Sequence, residues 1–186
     1  MSLTIHEFFH GFIADKLGDP TSRMRGRLSL NPLAHLDPLG TIMLLVAGFG
    51  WAKPVPVDAF NFKDPKRDMA LVALAGPASN FIIAIVFALL FRLGIGQDTI
   101  FSDVFVLLVQ INLGLGIFNF VPVAPLDGSK IIMLFLRNDL AYEYENFMHQ
   151  YGFLILLALI FPWYQGTSPI SALIGPVIQL AMQVLL

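Results

Sequence analysis

The sequence of 186 residues has no cysteine and little charge. The absence of cysteine excludes disulfide frameworks, cysteine-ligated zinc, iron–sulfur clusters and thiol catalysis. Only 13% of the residues are charged, whereas a soluble domain carries about 25%. The formal net charge of −2 gives no basic face for phosphates, so nucleic acid is excluded as a partner. With 56% hydrophobic residues and a mean hydropathy of +0.74, the composition indicates a protein of the lipid bilayer.

Long uncharged runs predict the membrane helices. Residues 69–91 and 104–126 each give 23 positions without a charged side chain, enough for one crossing of about 20 residues. The last 37 residues, 150–186, are also uncharged and are interrupted at Pro162, which predicts two helices joined by a short turn. Together with residues 1–17, these runs predict an α-helical polytopic membrane protein with about five transmembrane helices.

The first apolar stretch, residues 1–17, is short for a full crossing at about 1.5 Å per residue, so we expect the natural chain to extend further upstream. A signal peptide is not expected, because the stretch has no basic n-region and no small-residue cleavage site. No repeat or linker interrupts the sequence. We therefore predict a single domain over residues 1–186, with a core over 1–136 and a C-terminal helical hairpin over 146–186.

The basic residues predict the orientation in the membrane. Residues 38–52 are 15 uncharged positions, too few for a span, so we predict a re-entrant element there. Residues 15–68 and 127–146 then share one face, which holds ten of the 11 Lys and Arg residues and leaves Arg92 opposite. This positive-inside bias predicts that both segments lie on the cytoplasmic side of a bacterial or archaeal cell membrane.

Two segments between the first and second core helices alternate polar and apolar residues. Residues 27–30 and 53–58 have this period of two, which predicts short β-strands. The two prolines of the second segment remove donors from one edge of its strand, whereas Val55 and Val57 keep theirs on the other. A substrate strand could pair with that edge, so Val55 and Val57 are candidate substrate-binding residues.

The sequence His6-Glu7-Phe8-Phe9-His10 is an HExxH motif. On a helix the two histidines point the same way and can bind one metal ion. Glu7 lies about 100° around the helix, where it can reach a water on the metal rather than the metal itself. Polar residues in an apolar helix could instead be satisfied by hydrogen bonds between helices. At membrane depth, however, ionisable residues indicate a functional site.

Asp127 is the candidate third ligand, since a catalytic zinc takes three protein ligands and keeps one open position. It follows a 23-residue apolar run and comes after Pro122 and Pro125. These prolines break the helix and allow a carboxylate to face an interior cavity. Two alternatives stay open: Asp127 could be the N-cap of a following helix, or Glu143 or Glu145 could supply the third ligand.

The motifs HEFFH and PLDG together resemble the site-2 proteases, zinc metalloproteases that cut peptide bonds within the membrane. The resemblance extends over about residues 3–135 and is strongest for the compact prokaryotic branch without a PDZ domain. It includes the stretches GDPTSRMRGRLSLNPLAHLDPLGT, FGWAKPVPV, RDMALVALAGPASN and FNFVPVAPLDGSKI. It implies that His6, His10 and Asp127 bind one zinc ion per chain, with Glu7 as the catalytic base.

Three further polar residues are weaker signals. The stretch GPASN resembles a family motif in which Asn80 would face the site, although a helix-packing asparagine is an equal alternative. Many family members have Asn where this chain has Ala124, and Asn119 could replace that polar group. His35 could support the substrate side, or be an ordinary loop histidine.

These features predict hydrolysis of peptide bonds in the transmembrane segments of membrane proteins, with a zinc-activated water and a glutamate base. A membrane metal-binding or transport protein without proteolytic activity, or an inactive homologue, is the alternative. It would explain the intramembrane His and Asp residues, but not a glutamate between two histidines. A di-iron carboxylate bundle is excluded because the sequence has too few Glu-x-x-His pairs.

Overall fold

The computed structural model describes residues 1–47, 50–95, 101–163 and 166–186. Most of these residues are helical, which confirms the α-helical class. The α-helices are α1 (Ser2–Leu17), α2 (Thr21–Met24), α3 (Pro38–Ala47), α4 (Pro65–Arg92), α5 (Phe101–Asn119), α6 (Gly128–Met133), α7 (Asn138–Ile160) and α8 (Pro169–Leu185). Short 3-10 helices cover Pro32–Ala34 and Ala59–Asn61.

Two of the helices in the described part of the chain, α4 and α5, are long and apolar enough to cross a membrane. They correspond to the two 23-residue uncharged runs. The helix α8 is apolar but has 17 residues, and α1 has 16. The predicted number of five transmembrane helices therefore stays a prediction.

The helix boundaries differ from the ends of the uncharged runs in two places. The uncharged run 104–126 is longer than its helix: α5 ends at Asn119 and a turn region follows, which confirms the break predicted from Pro122 and Pro125. The helix expected from residue 150 begins at Asn138 instead, since charged residues are excluded from a bilayer core but not from a helix.

The predicted strands at 27–30 and 53–58 are wrong. Within the described residues there is no β-sheet, and an isolated antiparallel bridge joins Leu36 to Ala52. The predicted re-entrant element, 38–52, contains α3, which at 10 residues reaches only about 15 Å. Residues 48 and 49 of this segment lie outside the described part. Its re-entrant placement stays a prediction.

The chain divides into two compact units, Met1–Gly76 and Pro77–Leu186. In the first unit α1 packs against α2, and its core joins Ala14 of α1, Phe62 and Val72 of α4. The helix α1 ends at Gly18, whose φ of 111° is left-handed. Its neighbour Asp19 donates its N–H to the carbonyl of Ala14, which completes a Schellman C-cap.

In the second unit α5 and α7 both pack against α8, and α6 packs against α7. One core cluster joins Ala84 and Ala88 of α4 to Val109 and Leu113 of α5. Another surrounds the turn after α5. Its buried members are Val121, Val123, Leu126, Leu156 and Ile170. This second cluster fixes the turn that carries Asp127.

Candidate metal centre

Two buried histidines lie on one face of α1, in the first unit. His6 and His10 are 3% and 9% exposed, and their Nε2 atoms lie 3.0 Å apart. Two nitrogen ligands on one tetrahedral zinc are separated by about 3.3 Å, given zinc–nitrogen bonds of about 2.0 Å. The helical spacing of four residues alone brings the rings together, with the ring planes 86° apart. The pair therefore fits a shared metal ion.

The carbonyl oxygen of Val72 on α4 fixes the protonation of His10. It lies 2.7 Å from Nδ1 of His10, and because a carbonyl only accepts, Nδ1 carries the proton. In this tautomer Nε2 is the nitrogen that keeps a lone pair. This is the usual arrangement of a metal-binding histidine, whose other nitrogen donates to a carbonyl or carboxylate.

Gly76 is one turn beyond Val72 on α4 and lies against the same two rings. A Cβ atom at this position would come within 2.6 Å of His6 Nε2, and closer still to the ring of His10. Glycine is therefore required for α4 to pass over the two Nε2 atoms. Gly76 lies in a motif that was considered for Asn80 alone, and neither Gly76 nor Val72 was predicted to belong to the site. The Gly-Pro pair inside a helical run was the available signal.

Glu7 makes a hydrogen bond that the sequence did not predict. Its Oε2 accepts the backbone N–H of Val55 at 2.9 Å. Val55 was expected to keep this donor for a substrate strand. The donor is instead already bound to Glu7, the predicted base. Oε1 of Glu7 accepts no hydrogen bond from the residues that the structure describes. The carboxylate is thus oriented through one oxygen, and the other is available to a water.

Side chains hold both ends of the segment 53–58. At one end Nη2 of Arg27 donates to the carbonyls of Lys53 and Pro54, at 2.7 and 3.3 Å. At the other end the N–H of Asp58 donates to Asp19 at 2.8 Å. These bonds replace the predicted strand pairing, since Pro54 and Pro56 have no N–H to give.

Asp19 is fully buried and is outside the predicted membrane spans. Burial raises the pKa of its carboxyl, but the hydrogen bonds that it accepts outweigh this effect and lower the pKa below its ordinary value. The donors are the Thr21 hydroxyl, the Thr21 and Asp58 N–H groups and the Asn61 side-chain amide. Asp19 therefore anchors the loops beside the site as a carboxylate.

The other two candidates in this unit are His35, which contacts the segment 53–58, and Val57, which belongs to it. His35 is 2% exposed, its Nε2 donates to the Ser29 carbonyl at 2.7 Å, and its own carbonyl accepts the N–H of Lys53 at 2.9 Å. This places His35 in a supporting role for the loop. The N–H of Val57 has no acceptor among the described residues. Substrate-binding roles for both stay predictions.

Asp127 belongs to the second unit and precedes α6. Its backbone carbonyl accepts the N–H groups of Lys130 and Ile131, but its side chain makes no capping hydrogen bond to the described residues of α6. Asp127 therefore occupies the N-cap position of α6, but its carboxylate does not cap the helix. The turn before it folds back tightly, since a Cβ at Gly128 would overlap the carbonyl oxygens of Phe120 and Val121. The role of Asp127 as a metal ligand stays a prediction.

The remaining candidates also lie in the second unit. Asn80 is fully buried and donates through Nδ2 to Oδ1 of Asn112 at 3.0 Å, which is the helix-packing bond considered as its alternative. Asn119 donates to the Leu115 carbonyl of its own helix at 2.9 Å. Glu145, an alternative third ligand, pairs with Lys130 at 2.7 Å. Catalytic support by Asn80 and Asn119 stays a prediction.

Similarity to known proteins agrees with this chemistry. The chain is 41% identical to YwhC of Bacillus subtilis, named as a zinc metalloprotease, over 86% of this chain and 76% of that protein. It is 31% identical to Rip2 of Mycolicibacterium smegmatis, also named as a zinc metalloprotease, over 86% of this chain. The alignment covers 63% of Rip2, so the chain spans less than two thirds of that relative.

A third relative, the zinc metalloprotease MJ0392 of Methanocaldococcus jannaschii, is 26% identical over 76% of this chain and 34% of its own length. The profile of Peptidase family M50 matches residues 94–159. No solved structure matches the chain significantly. On the identity and coverage shared with YwhC, the chain belongs to peptidase family M50, the site-2 protease family.

Proposed function

We propose that this zinc-dependent protease hydrolyses peptide bonds within the transmembrane segments of other membrane proteins. One observation carries the proposal: the Nε2 atoms of His6 and His10 lie 3.0 Å apart on the helix that also presents Glu7. The low charge of the chain and its two long apolar helices support a substrate in the bilayer rather than in water.

His6 and His10 supply two of the three protein ligands that a catalytic zinc takes, and Asp127 supplies the third. Val72 keeps the Nε2 lone pair of His10 available, and Gly76 leaves space for an ion beside both rings. When bound, zinc lowers the pKa of a water towards neutrality and polarises the carbonyl under attack.

Glu7 acts as the general base and then as the general acid. Its Oε2 is held by the N–H of Val55, so Oε1 takes the proton of the attacking water. The same carboxyl then gives a proton to the departing amine. A carboxylate held by one oxygen keeps this geometry without a large loss of side-chain entropy during the reaction.

The substrate segment must unwind, because a helix covers its own carbonyl groups with hydrogen bonds. The extended segment 53–58 lies next to Glu7 and offers the N–H of Val57, so an unwound substrate adds to it by backbone pairing. Val55 contributes through its side chain and its bond to the base. His35, Asn80 and Asn119 are the further candidates for supporting residues.

The membrane orientation follows the basic residues. Residues 15–68 and 127–146 lie on the cytoplasmic side of a multi-pass protein in the cell membrane, with Arg92 opposite. Water reaches the site from that side, through the polar segment 18–68.

The replacement Glu7→Gln tests this function. In purified protein with a transmembrane substrate in lipid vesicles, zinc content should stay at one ion per chain. Cleavage should fall by about 10²–10⁴-fold, the contribution of a general base. Unchanged cleavage by this variant would remove Glu7 from the mechanism. Zinc transport into vesicles without cleavage by the unmodified protein would instead support the transport alternative.

A further inference from the structure

Arg27 lies outside the HExxH motif, yet it is connected to the general base through two residues. Its Nη2 holds the carbonyls of Lys53 and Pro54, and the next residue, Val55, donates its N–H to Glu7. We propose that Arg27 is a positioning residue that holds Val55 so that its N–H orients the Glu7 carboxylate. The inference rests on the proposed function, in which Glu7 is the base.

The stretch from Pro54 to Pro56 has a single backbone donor. Pro54 and Pro56 flank Val55, and a proline has no N–H and a fixed φ. The N–H of Val55 is therefore the one backbone donor between residues 54 and 56. If the segment rotates, no neighbouring donor can take its place at Glu7.

The hydrogen bonds form a closed path that begins and ends on α1. Ser22 is fully buried and its hydroxyl donates to the carbonyl of Gly11 on α1. The Ser22 carbonyl accepts the N–H of Arg27 at 2.8 Å. Arg27 then holds the segment whose Val55 donates to Glu7, about one helical turn before Gly11. Because both ends are on one helix, the path can hold Glu7 relative to His6 and His10.

The Val55 side chain also packs against α1. Val55 is 8% exposed, and a Cβ at Gly11 would lie 3.1 Å from its Cγ1 and 3.1 Å from the Ser22 hydroxyl. Val55 therefore rests directly on the backbone of α1. This contact limits movement of the segment towards α1, while Arg27 limits rotation about the segment's own axis.

The chemistry of the contact predicts how substitutions behave. A single nitrogen of Arg27 makes both hydrogen bonds, so the fork of the guanidinium is not used. A lysine ammonium has three donors on a long stem and can reach the same carbonyls. Arg27→Lys should therefore retain the positioning, whereas Arg27→Ala should lose it.

The test measures kcat and KM for cleavage of a transmembrane substrate in vesicles, with zinc content, for Arg27→Ala and Arg27→Lys. Arg25→Ala is the matched control, because Arg25 is exposed and carries the same charge two positions away.

For Arg27→Ala we expect kcat to fall by about 10–100-fold, the effect of misplacing a reacting group. KM should change less than about threefold. Zinc should stay at one ion per chain, because His6 and His10 are unchanged in this variant. Arg27→Lys should recover kcat to within about threefold, and Arg25→Ala should match the unmodified protein.

A second measurement reports on the contact itself. Hydrogen exchange at the Val55 amide, followed by nuclear magnetic resonance in micelles, should accelerate about tenfold or more in Arg27→Ala and not in Arg27→Lys. The Asp58 amide, held by Asp19 at the other end of the segment, should be unaffected. This readout keeps the inference testable if Arg27→Ala is poorly active for any other reason.

Three results would overturn the inference. The first is an unchanged kcat in Arg27→Ala. The second is a raised KM with unchanged kcat, which would mean that Arg27 contacts the substrate. The third is failure of Arg27→Lys to recover kcat. Failure of the proposed function is distinguishable, because Glu7→Gln would then cleave normally whatever Arg27 does. If Glu7→Gln is inactive while Arg27→Ala is normal, the positioning role alone is wrong.

Discussion

The carbonyl oxygen of Val72 lies 2.7 Å from Nδ1 of His10. Val72 and Gly76 are four residues apart on α4 and so face the same way. The first fixes the ring of His10, and the second leaves room at the Nε2 atoms of both histidines. One turn of α4 therefore prepares the two histidines of α1 for a metal ion, although it contributes no ligand itself.

This relationship predicts the effect of Gly76→Ala. The added methyl group would sit within 2.6 Å of His6 Nε2, where an ion or a ring must move away. We expect the Kd for zinc to rise by about 10–100-fold, the range seen when a group supporting a metal ligand is lost. Zinc content after competition with a chelator, measured by mass spectrometry of the metal, checks this.

The control is Gly114→Ala, in which a Cβ would meet the Ile178 side chain at an ordinary 3.9 Å. It should bind zinc like the unmodified protein. Equal zinc affinity in Gly76→Ala and Gly114→Ala would show that the space above the histidines is not where the ion binds.

The third ligand gives a prediction that the histidine pair alone does not. If Asp127 binds zinc, Asp127→Ala should weaken zinc binding by more than about 100-fold, since losing a ligand exceeds losing its support. Asp139→Asn, at an exposed position of α7, is the control. One zinc per chain retained by Asp127→Ala after chelator competition would indicate Glu143 or Glu145 as the ligand instead.

Sequence periodicity was sufficient for the histidine pair and for most helices. His6 and His10 converge because a helix repeats every 3.6 residues, whatever surrounds it. The uncharged run 69–91 lies entirely within α4, as its apolar composition predicted. Hydrophobicity alone places the end of α5 too late in the run 104–126, because apolar residues continue through Pro122 whereas a helix cannot.

The details that orient Glu7 could not be predicted in this way. The bond from Val55 joins residues 48 positions apart, and no local pattern records such a contact. The alternation at 53–58 was real but reflected a segment held by Arg27 and Asp19, rather than a strand in a sheet. A period of two shows that side chains alternate, and leaves the partners of the backbone undefined.

The lowered pKa of Asp19 predicts an acid-sensitive fold. A carboxyl whose pKa is lower in the folded state than its ordinary 3.8 stabilises the protein above that pH. This stabilisation is lost as the pH falls through the lower folded value, because the unfolded chain binds the proton more readily. Asp19→Asn should lower the free energy of unfolding by about 1–3 kcal/mol at pH 7, and should remove this part of the loss below pH 4.

Denaturant unfolding in detergent micelles between pH 7 and about pH 3 checks the Asp19 prediction. Asp139→Asn, with a side chain 59% exposed, is the matched control and should leave the unfolding midpoint at pH 7 unchanged. Equal midpoints for Asp19→Asn and the control would mean that the hydrogen bonds to Asp19 do not stabilise the loops.

Gly152 of α7 and Ala124 lie in close contact. A Cβ at Gly152 would lie 2.8 Å from the Ala124 carbonyl oxygen and 2.9 Å from its Cβ, so α7 packs directly on the turn before Asp127. Gly152→Ala should therefore destabilise the protein by about 1–3 kcal/mol through overpacking. Gly175→Ala adds a Cβ with no neighbour within 4 Å and should be neutral or stabilising, because alanine favours a helix over glycine. Denaturant unfolding of both variants in micelles decides the matter, and equal loss of stability would mean that glycine replacement in a helix is harmful here without any contact to Ala124.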